Sequence, residues 1–124
     1  MKALSICQPW AWAILHAGKR VENRTWRTPY RGQLLIHASK SRRLLTGDYR
    51  ALVPGLRGLP TDQLPFGALV GVVELVDCVP FRQVAGDPFA EGPWCWLLAD
   101  PRPLPALVPW KGRLGLFDVE IDAG

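Results

Sequence analysis

Gly67-Ala68-Leu69-Val70-Gly71-Val72-Val73-Glu74-Leu75-Val76-Asp77-Cys78-Val79 is the stretch on which the fold turns. Rich in valine and free of proline, it reads as one long β-strand. Its apolar run over residues 68–73 is far shorter than the roughly 20 residues of a membrane-spanning helix, so the strand is assigned to the core of a soluble domain. On its N-terminal side, residues 55–66 are broken by glycine and proline and read as a loop, with one helical turn near residues 61–64. Before that, residues 41–52 predict a helix with Leu44, Leu45, Tyr49 and Leu52 inward, stopped by Pro54. On its C-terminal side come a crossing loop over 80–89 and a strand over 94–98. A proline-rich extended or turning segment over 100–109 follows, then a last strand over 114–121.

The N-terminal third continues the pattern. Residues 3–7 form a short apolar strand, and Gln8-Pro9 opens a helix on which Trp10, Ile14 and Ala17 recur at helical spacing, as do Trp12 and His16. Gly18 stops it. Residues 20–26 read as a strand whose one side carries Arg20, Glu22, Arg24 and Trp26, and the other Val21, Asn23 and Thr25. Neither side is apolar, so the charged row is expected to line a cleft or face solvent. A turn at Thr28-Pro29-Tyr30-Arg31-Gly32 leads into a strand over 33–38, Leu34 and Ile36 facing one way, Leu35 and His37 the other. Five or six strands with two or three short helices, lacking regular βαβ alternation, predict a small α+β barrel whose closure removes exposed edges.

At 124 residues and 48% hydrophobic content the chain suits a single domain over 1–124, able to bury a core without a disulfide or metal. Cys7, Cys78 and Cys95 are far apart and form no C-x-x-C pair, so no metal site, no cofactor and no thiol nucleophile is read from them. Met1-Lys2-Ala3 runs directly into a strand rather than a secretory leader, which makes a cytoplasmic location the expectation. Charge is uneven: residues 1–61 hold 11 Lys and Arg against Glu22 and Asp48, whereas residues 62–124 hold 4 against 9 acids. In the basic half Trp10, Trp12, Trp26 and Tyr30 alternate with Lys19, Arg20, Arg24, Arg27 and Arg31. Cations hold phosphates and aromatic faces stack on bases, so this mixture fits unpaired nucleic acid or a nucleotide.

Three stretches carry a family resemblance. They are Leu4-Ser5-Ile6-x-Gln8-Pro9-Trp10-Ala11, Gly18-Lys19-x-Val21-Glu22-Asn23-Arg24-Thr25-Trp26, and Tyr30-Arg31-Gly32 with Leu35-Ile36-His37-Ala38-Ser39-Lys40. Together they resemble the ASCH domain family, whose signature is G-x-K-x-x-E-x-R. Lys19, Glu22 and Arg24 occupy the K, E and R places, with Ala17 where the first glycine falls and Gly18 one residue late. Gly112-Arg113-Leu114-Gly115-Leu116-Phe117-Asp118-Val119 is similar to the family's last strand, so the resemblance covers nearly the whole chain. It implies a PUA-like β-barrel with a cleft between barrel and helices, and binding of RNA or another single-stranded nucleic acid or nucleotide. No protein partner is read from the sequence.

On that basis Lys19, Glu22 and Arg24 are expected to converge on one pocket, with Gln8 and Trp10 at its rim. Trp26, Tyr30, Arg31, His37, Ser39 and Lys40 complete the expected nucleic-acid-binding set. Arg24 would pair with Glu22 or a phosphate, Glu22 would accept the exocyclic amine of cytosine, and Lys19 would contact a phosphate or an oxygen. The plainer alternative is an exposed Glu22–Arg24 salt bridge worth about 0–1 kcal/mol.

The resemblance also admits two enzyme classes, amidohydrolases acting on N4-acylated cytidine and ribonucleases. In the former a threonine nucleophile follows the motif lysine, which would be Lys19, and a glutamate comes from a later strand, for which Glu74 is the counterpart here. Position 22 is glutamate, which cannot form that acyl intermediate, although Glu22 could act as a general base with Lys19 steadying the oxyanion. A metal-independent ribonuclease would draw on Lys19, Glu22, His37 and Lys40.

Overall fold

A computed structural model describes residues 1–60 and 63–121. Alternating valine and leucine make β4 (Ala68–Pro80) the spine of the sheet, hydrogen-bonded along its length to β3 (Gly32–Ala38) and β5 (Trp94–Pro109). Outside these lie β1 (Lys2–Ile6), β2 (Val21–Arg24) and β6 (Leu116–Asp118), in the order β2-β5-β4-β3-β1-β6. All pairs are antiparallel except β1 with β3, where Leu4 lies opposite Ile36 and Ser5 opposite His37. That parallel pair needs a crossover, supplied by helix α1 (Trp10–His16) and β2. The α+β barrel is thus a curled half-barrel. The expected closure does not occur, because β2 and β6 are not hydrogen-bonded to each other.

The period of two in β3 sorts the core. Leu34 and Ile36 face α1 and join Leu4, Ile6, Val73, Leu75, Trp96 and the helix residues Ala11, Ile14 and Leu15. Leu35 faces the opposite side with Ala3, Leu69, Val72 and Phe117. Leu15 reaches the sheet through a notch at Gly71. A Cβ there would sit 2.7 Å from Leu15 Cδ1 and 2.9 Å from the Arg102 carbonyl oxygen. Gly71→Ala is therefore expected to lose roughly 1–3 kcal/mol by overpacking, read as a drop in thermal midpoint; an unchanged midpoint would show that the helix can ride outward freely.

Several local expectations are corrected. Residues 41–52 are not a helix but a series of turns ending in a 3-10 turn at Tyr49–Leu52, because Gly47 takes φ +57° and breaks any helical run. Its apolar residues Leu45 and Tyr49 still pack on the outer side of α1, beside Ala13, Val53, Leu56 and Leu64, whereas Leu52, expected inward, is 55% exposed. Other short helical pieces among the described residues include 3-10 turns at Leu56–Gly58 and Phe81–Gln83. The helical turn expected near 61–64 falls partly on residues 61–62, outside the described residues. The proline-rich segment over 100–109, expected to be extended or turning, is extended throughout as the second half of β5. Prolines are tolerated there because β2 accompanies only residues 94–97, leaving the later half an edge, and because three bulges interrupt its register with β4. The final strand is shorter than expected, Leu116–Asp118.

Candidate functional site

Helix α1 ends at Gly18, whose φ of +73° turns the chain so that Lys19 runs inward rather than along the surface. Pairing of β2 with β5 then puts Glu22 and Arg24, two residues apart, on one side of the strand. Lys19 Nζ lies 3.1 Å from Glu22 Oε1 and also donates to the Val21 carbonyl. Arg24 donates to Glu22 Oε2 through Nε at 3.1 Å, with Nη2 at 2.9 Å, and Nη2 donates onward to the Ser5 carbonyl at 2.8 Å. Lys19 is 2% exposed and Glu22 7%, so this is a buried cation–carboxylate–cation trio and not the plain surface salt bridge. Both carboxylate oxygens of Glu22 are engaged, and the trio keeps one unbalanced positive charge.

The trio forms the floor of a hollow of about 670 Å³. Its lining mixes polar and apolar groups: the Trp10 ring, 5.6 Å from Lys19 Nζ, meets Phe89 edge-on at 6.2 Å, and Leu44, Leu52 and Pro54 add apolar surface. Three cations, Lys19, Arg24 and Arg43, stand against two carboxylates, Glu22 and Glu91. Sequence reading missed Arg43 and Asn23. Asn23 fixes the wall: its Nδ2 donates to the Phe89 carbonyl at 2.9 Å, and its Oδ1 accepts from the Glu91 and Gly92 amides at 2.8 and 2.9 Å. The one sequence signal for it is a polar amide in the middle of a short strand, on the side opposite the charged row.

The remaining expected residues separate into two groups. Four line neither this hollow nor the second one described below. Gln8 is buried, donating to the Pro65 carbonyl at 3.0 Å and accepting from the Trp12 amide at 2.9 Å, so it ties the 65 segment to α1. Trp26 stands perpendicular to the core Trp96 at 4.8 Å and accepts from its indole N–H through the backbone. The Tyr30 hydroxyl donates to the Gln33 carbonyl, and Arg31 is spent on the Thr28 and Tyr30 carbonyls and on Asp77 at 3.3 Å. The second group, His37, Ser39 and Lys40, lines a separate open hollow of about 800 Å³ that shares Ser5 with the first. There His37 Nε2 lies 2.7 Å from the Trp110 carbonyl and Nδ1 2.8 Å from Ser5 Oγ. A carbonyl oxygen only accepts, so Nε2 carries a proton, and in the neutral ring Nδ1 accepts from the serine.

The catalytic candidates are thus kept apart: His37 opens to one hollow, Glu22 and Lys19 to the other. Glu74 lines neither, and its carboxylate faces Arg102 at 3.7 Å. Among the described residues no group of three or more His, Cys, Asp and Glu side chains is placed to hold a metal ion. No helix among them is long and apolar enough to cross a membrane. Cys7 lines the first hollow, while Cys95 is buried and its thiol is pushed up by desolvation.

Curled half-barrel and buried motif together define a known class of domain. The ASCH domain family model matches residues 4–119, and the chain belongs to that family. It is 34% identical over 129 residues to Activating signal cointegrator 1 of Homo sapiens, an alignment covering 94% of this chain and 22% of that protein. The Mus musculus protein of the same name is 41% identical over 86 residues, covering 64% of this chain and 15% of its own length. The chain therefore spans about a fifth of the curated relatives it matches. In three dimensions it is similar to the crystal structure of ASCH from Zymomonas mobilis, with a TM-score of 0.60 at 14% identity over 96% of this chain and 87% of that one.

Proposed function

We propose that this domain is a nucleic-acid-binding module that takes an unpaired nucleotide, most naturally from single-stranded RNA, into the hollow above Lys19, Glu22 and Arg24. The observation that carries this reading is the buried trio with one surplus positive charge on the floor of an aromatic-walled cavity. Trp10 and Phe89 offer faces and edges for a base, and Arg24 and Arg43 offer donors to an anion. Among the described residues Arg43 makes no ion pair, so its charge is available. The small net charge and desolvated floor favour a ligand combining apolar rings with limited negative charge, which describes a nucleotide better than a highly charged polyanion.

Binding fits this arrangement better than catalysis. A general base needs a free lone pair aimed at the proton it takes. Glu22 Oε2 accepts from two Arg24 nitrogens and Oε1 from Lys19, so its one uncommitted lone pair shares an oxygen with the Lys19 ammonium, and His37, bonded to Ser5, lines the other hollow. Recruiting Glu22 would strip the counter-charge from buried Lys19 and part-buried Arg24.

Cys7 supplies the test. With iodoacetamide, Cys7 is expected to alkylate while Cys95 stays unmodified, since its burial and raised pKa suppress the thiolate. Saturating single-stranded RNA is expected to slow Cys7 labelling several-fold, and Cys78, which lines neither hollow, serves as control. A Cys7 rate unchanged at saturation, followed by peptide mass mapping, would place the ligand elsewhere.

A further inference from the structure

The second hollow differs in chemistry from the first. Three cations line it, Lys40, Lys111 and Arg113, together with the hydroxyls of Ser39 and Ser41, and no carboxylate is among its described lining residues. Among the described residues none of the three cations forms an ion pair. The arrangement is also built. Gly67, at φ +66°, leaves room for the Lys40 stem, since a Cβ there would lie 2.8 Å from Lys40 Cε. Its amide bonds the Ala38 carbonyl and its carbonyl takes the Trp110 amide, so one glycine seats Lys40 beside the start of the 110–113 segment. That segment is pressed against β1 and β3: a Cβ on Gly112 would meet Ser5 Oγ at 2.6 Å and His37 Cε1 at 2.8 Å. Lys111 and Arg113 are thereby held on either side of Gly112.

The two hollows share one residue. The Ser5 carbonyl accepts from Arg24 of the first hollow, and its hydroxyl bonds His37 of the second. A partition one residue thick separates a nearly neutral, aromatic-walled chamber from an open, cationic one lined with hydroxyls. Unpaired nucleic acid has the same division, flat apolar bases joined by regularly spaced anions. We infer that the Lys40–Lys111–Arg113 hollow is a phosphate-binding track that holds the backbone of the strand whose nucleotide enters the first hollow. This rests on the reading given under Proposed function and extends it from one nucleotide to a strand passing over Ser5. Unpaired surface cations near an open, hydroxyl-lined floor keep their hydration until a phosphate arrives, and the binding then releases counterions.

The experiment compares two probes on the full chain, a mononucleotide and a fluorescein-labelled single-stranded RNA hexamer, by titration between about 50 and 200 mM salt. Wild type is expected to bind the hexamer with a log–log salt slope steeper by about 2 than the mononucleotide, as three phosphate contacts at roughly 0.7 each require. The variant Lys40→Gln/Lys111→Gln/Arg113→Gln should lose that extra slope and bind the hexamer about 20-fold more weakly at the low-salt end. Its melting temperature, mononucleotide affinity and nucleotide protection of Cys7 should stay as in wild type. A hexamer slope unchanged in the triple variant overturns the track, as does a mononucleotide affinity that falls in parallel with the hexamer. Preference of the wild-type hollow for an acidic peptide over the hexamer overturns it too. If the mononucleotide never protects Cys7 while the hexamer slope still depends on the three cations, the reading of the first hollow fails and the phosphate contacts stand.

Discussion

Glu22→Ala is expected to lower the melting temperature by roughly 10–20 °C and to abolish ligand protection of Cys7. The carboxylate is the sole anion between two cations, one of which, Lys19, is 2% exposed. Removing one member of a buried ion pair typically costs about 3–5 kcal/mol, because the remaining charge is left in a poorly solvating interior. For a domain of this size each kcal/mol corresponds to about 4 °C. Glu22→Gln should cost less, since the amide oxygen still accepts one hydrogen bond. Lys19→Met/Glu22→Leu should recover part of the loss, because the deeply buried Lys19 charge leaves together with its carboxylate, only the part-exposed Arg24 is left without its partner, and an apolar pair fills the space. The recovered protein should still fail to bind RNA. Equal stability of Glu22→Ala and wild type in a calorimetric scan would mean that the trio is open to water.

Trp10→Ala is expected to weaken single-stranded RNA about 5- to 150-fold, the equivalent of about 1–3 kcal/mol for a lost base–aromatic stack. Its ring is the wall next to Lys19 and stands edge-on to Phe89, so removing it leaves the base without a face and loosens the opposite wall. Trp10 also packs against the core on both sides of α1, and some thermal stability will go with it. Trp10→Phe separates the two effects. It keeps an aromatic face and most of the packing, and should bind within a few-fold of wild type by fluorescence anisotropy. Folded Trp10→Ala that binds as tightly as wild type would remove the aromatic wall from the binding account.

What the chain declared in advance was set by short-range physics. Alternation in β3 sorted Leu34 and Ile36 from Leu35 and His37, and Gly18 marked the end of α1, which in turn aims Lys19 inward. The family motif brought Lys19, Glu22 and Arg24 to attention, and they meet in space. The errors share a cause as well. Leucines over 41–52 have helical spacing, but Gly47 and docking on α1 override propensity, so the packing of Leu45 and Tyr49 was readable, while the conformation and the outward turn of Leu52, 55% exposed, were not. Prolines over 100–109 left strand and turn both open, because whether a proline is tolerated in a strand depends on a neighbour, β2, that stops short. Where Gln8, Trp26, Tyr30 and Arg31 lie was not legible either: they meet carbonyls, Asp77 or Trp96 outside both hollows, with Trp26 36% exposed. The division between hollows was invisible for a different reason: Lys111 and Arg113 join Lys40 only through contacts some 70 residues apart in sequence.

The half-barrel leaves its margins open, yet little of them can recruit another chain. One margin is β6, three residues long, and the other is β2, four residues long. Where β5 runs on past β2, its outward side is studded by Pro101, Pro103, Pro105 and Pro109, which carry no amide hydrogen to offer. A misaligned copy arriving at any of these borders would find too few consecutive partners to extend a cross-molecular ladder. The open architecture can therefore tolerate crowding without seeding fibrils, even though its spine is a valine-rich segment that would be hazardous if stripped of its neighbours.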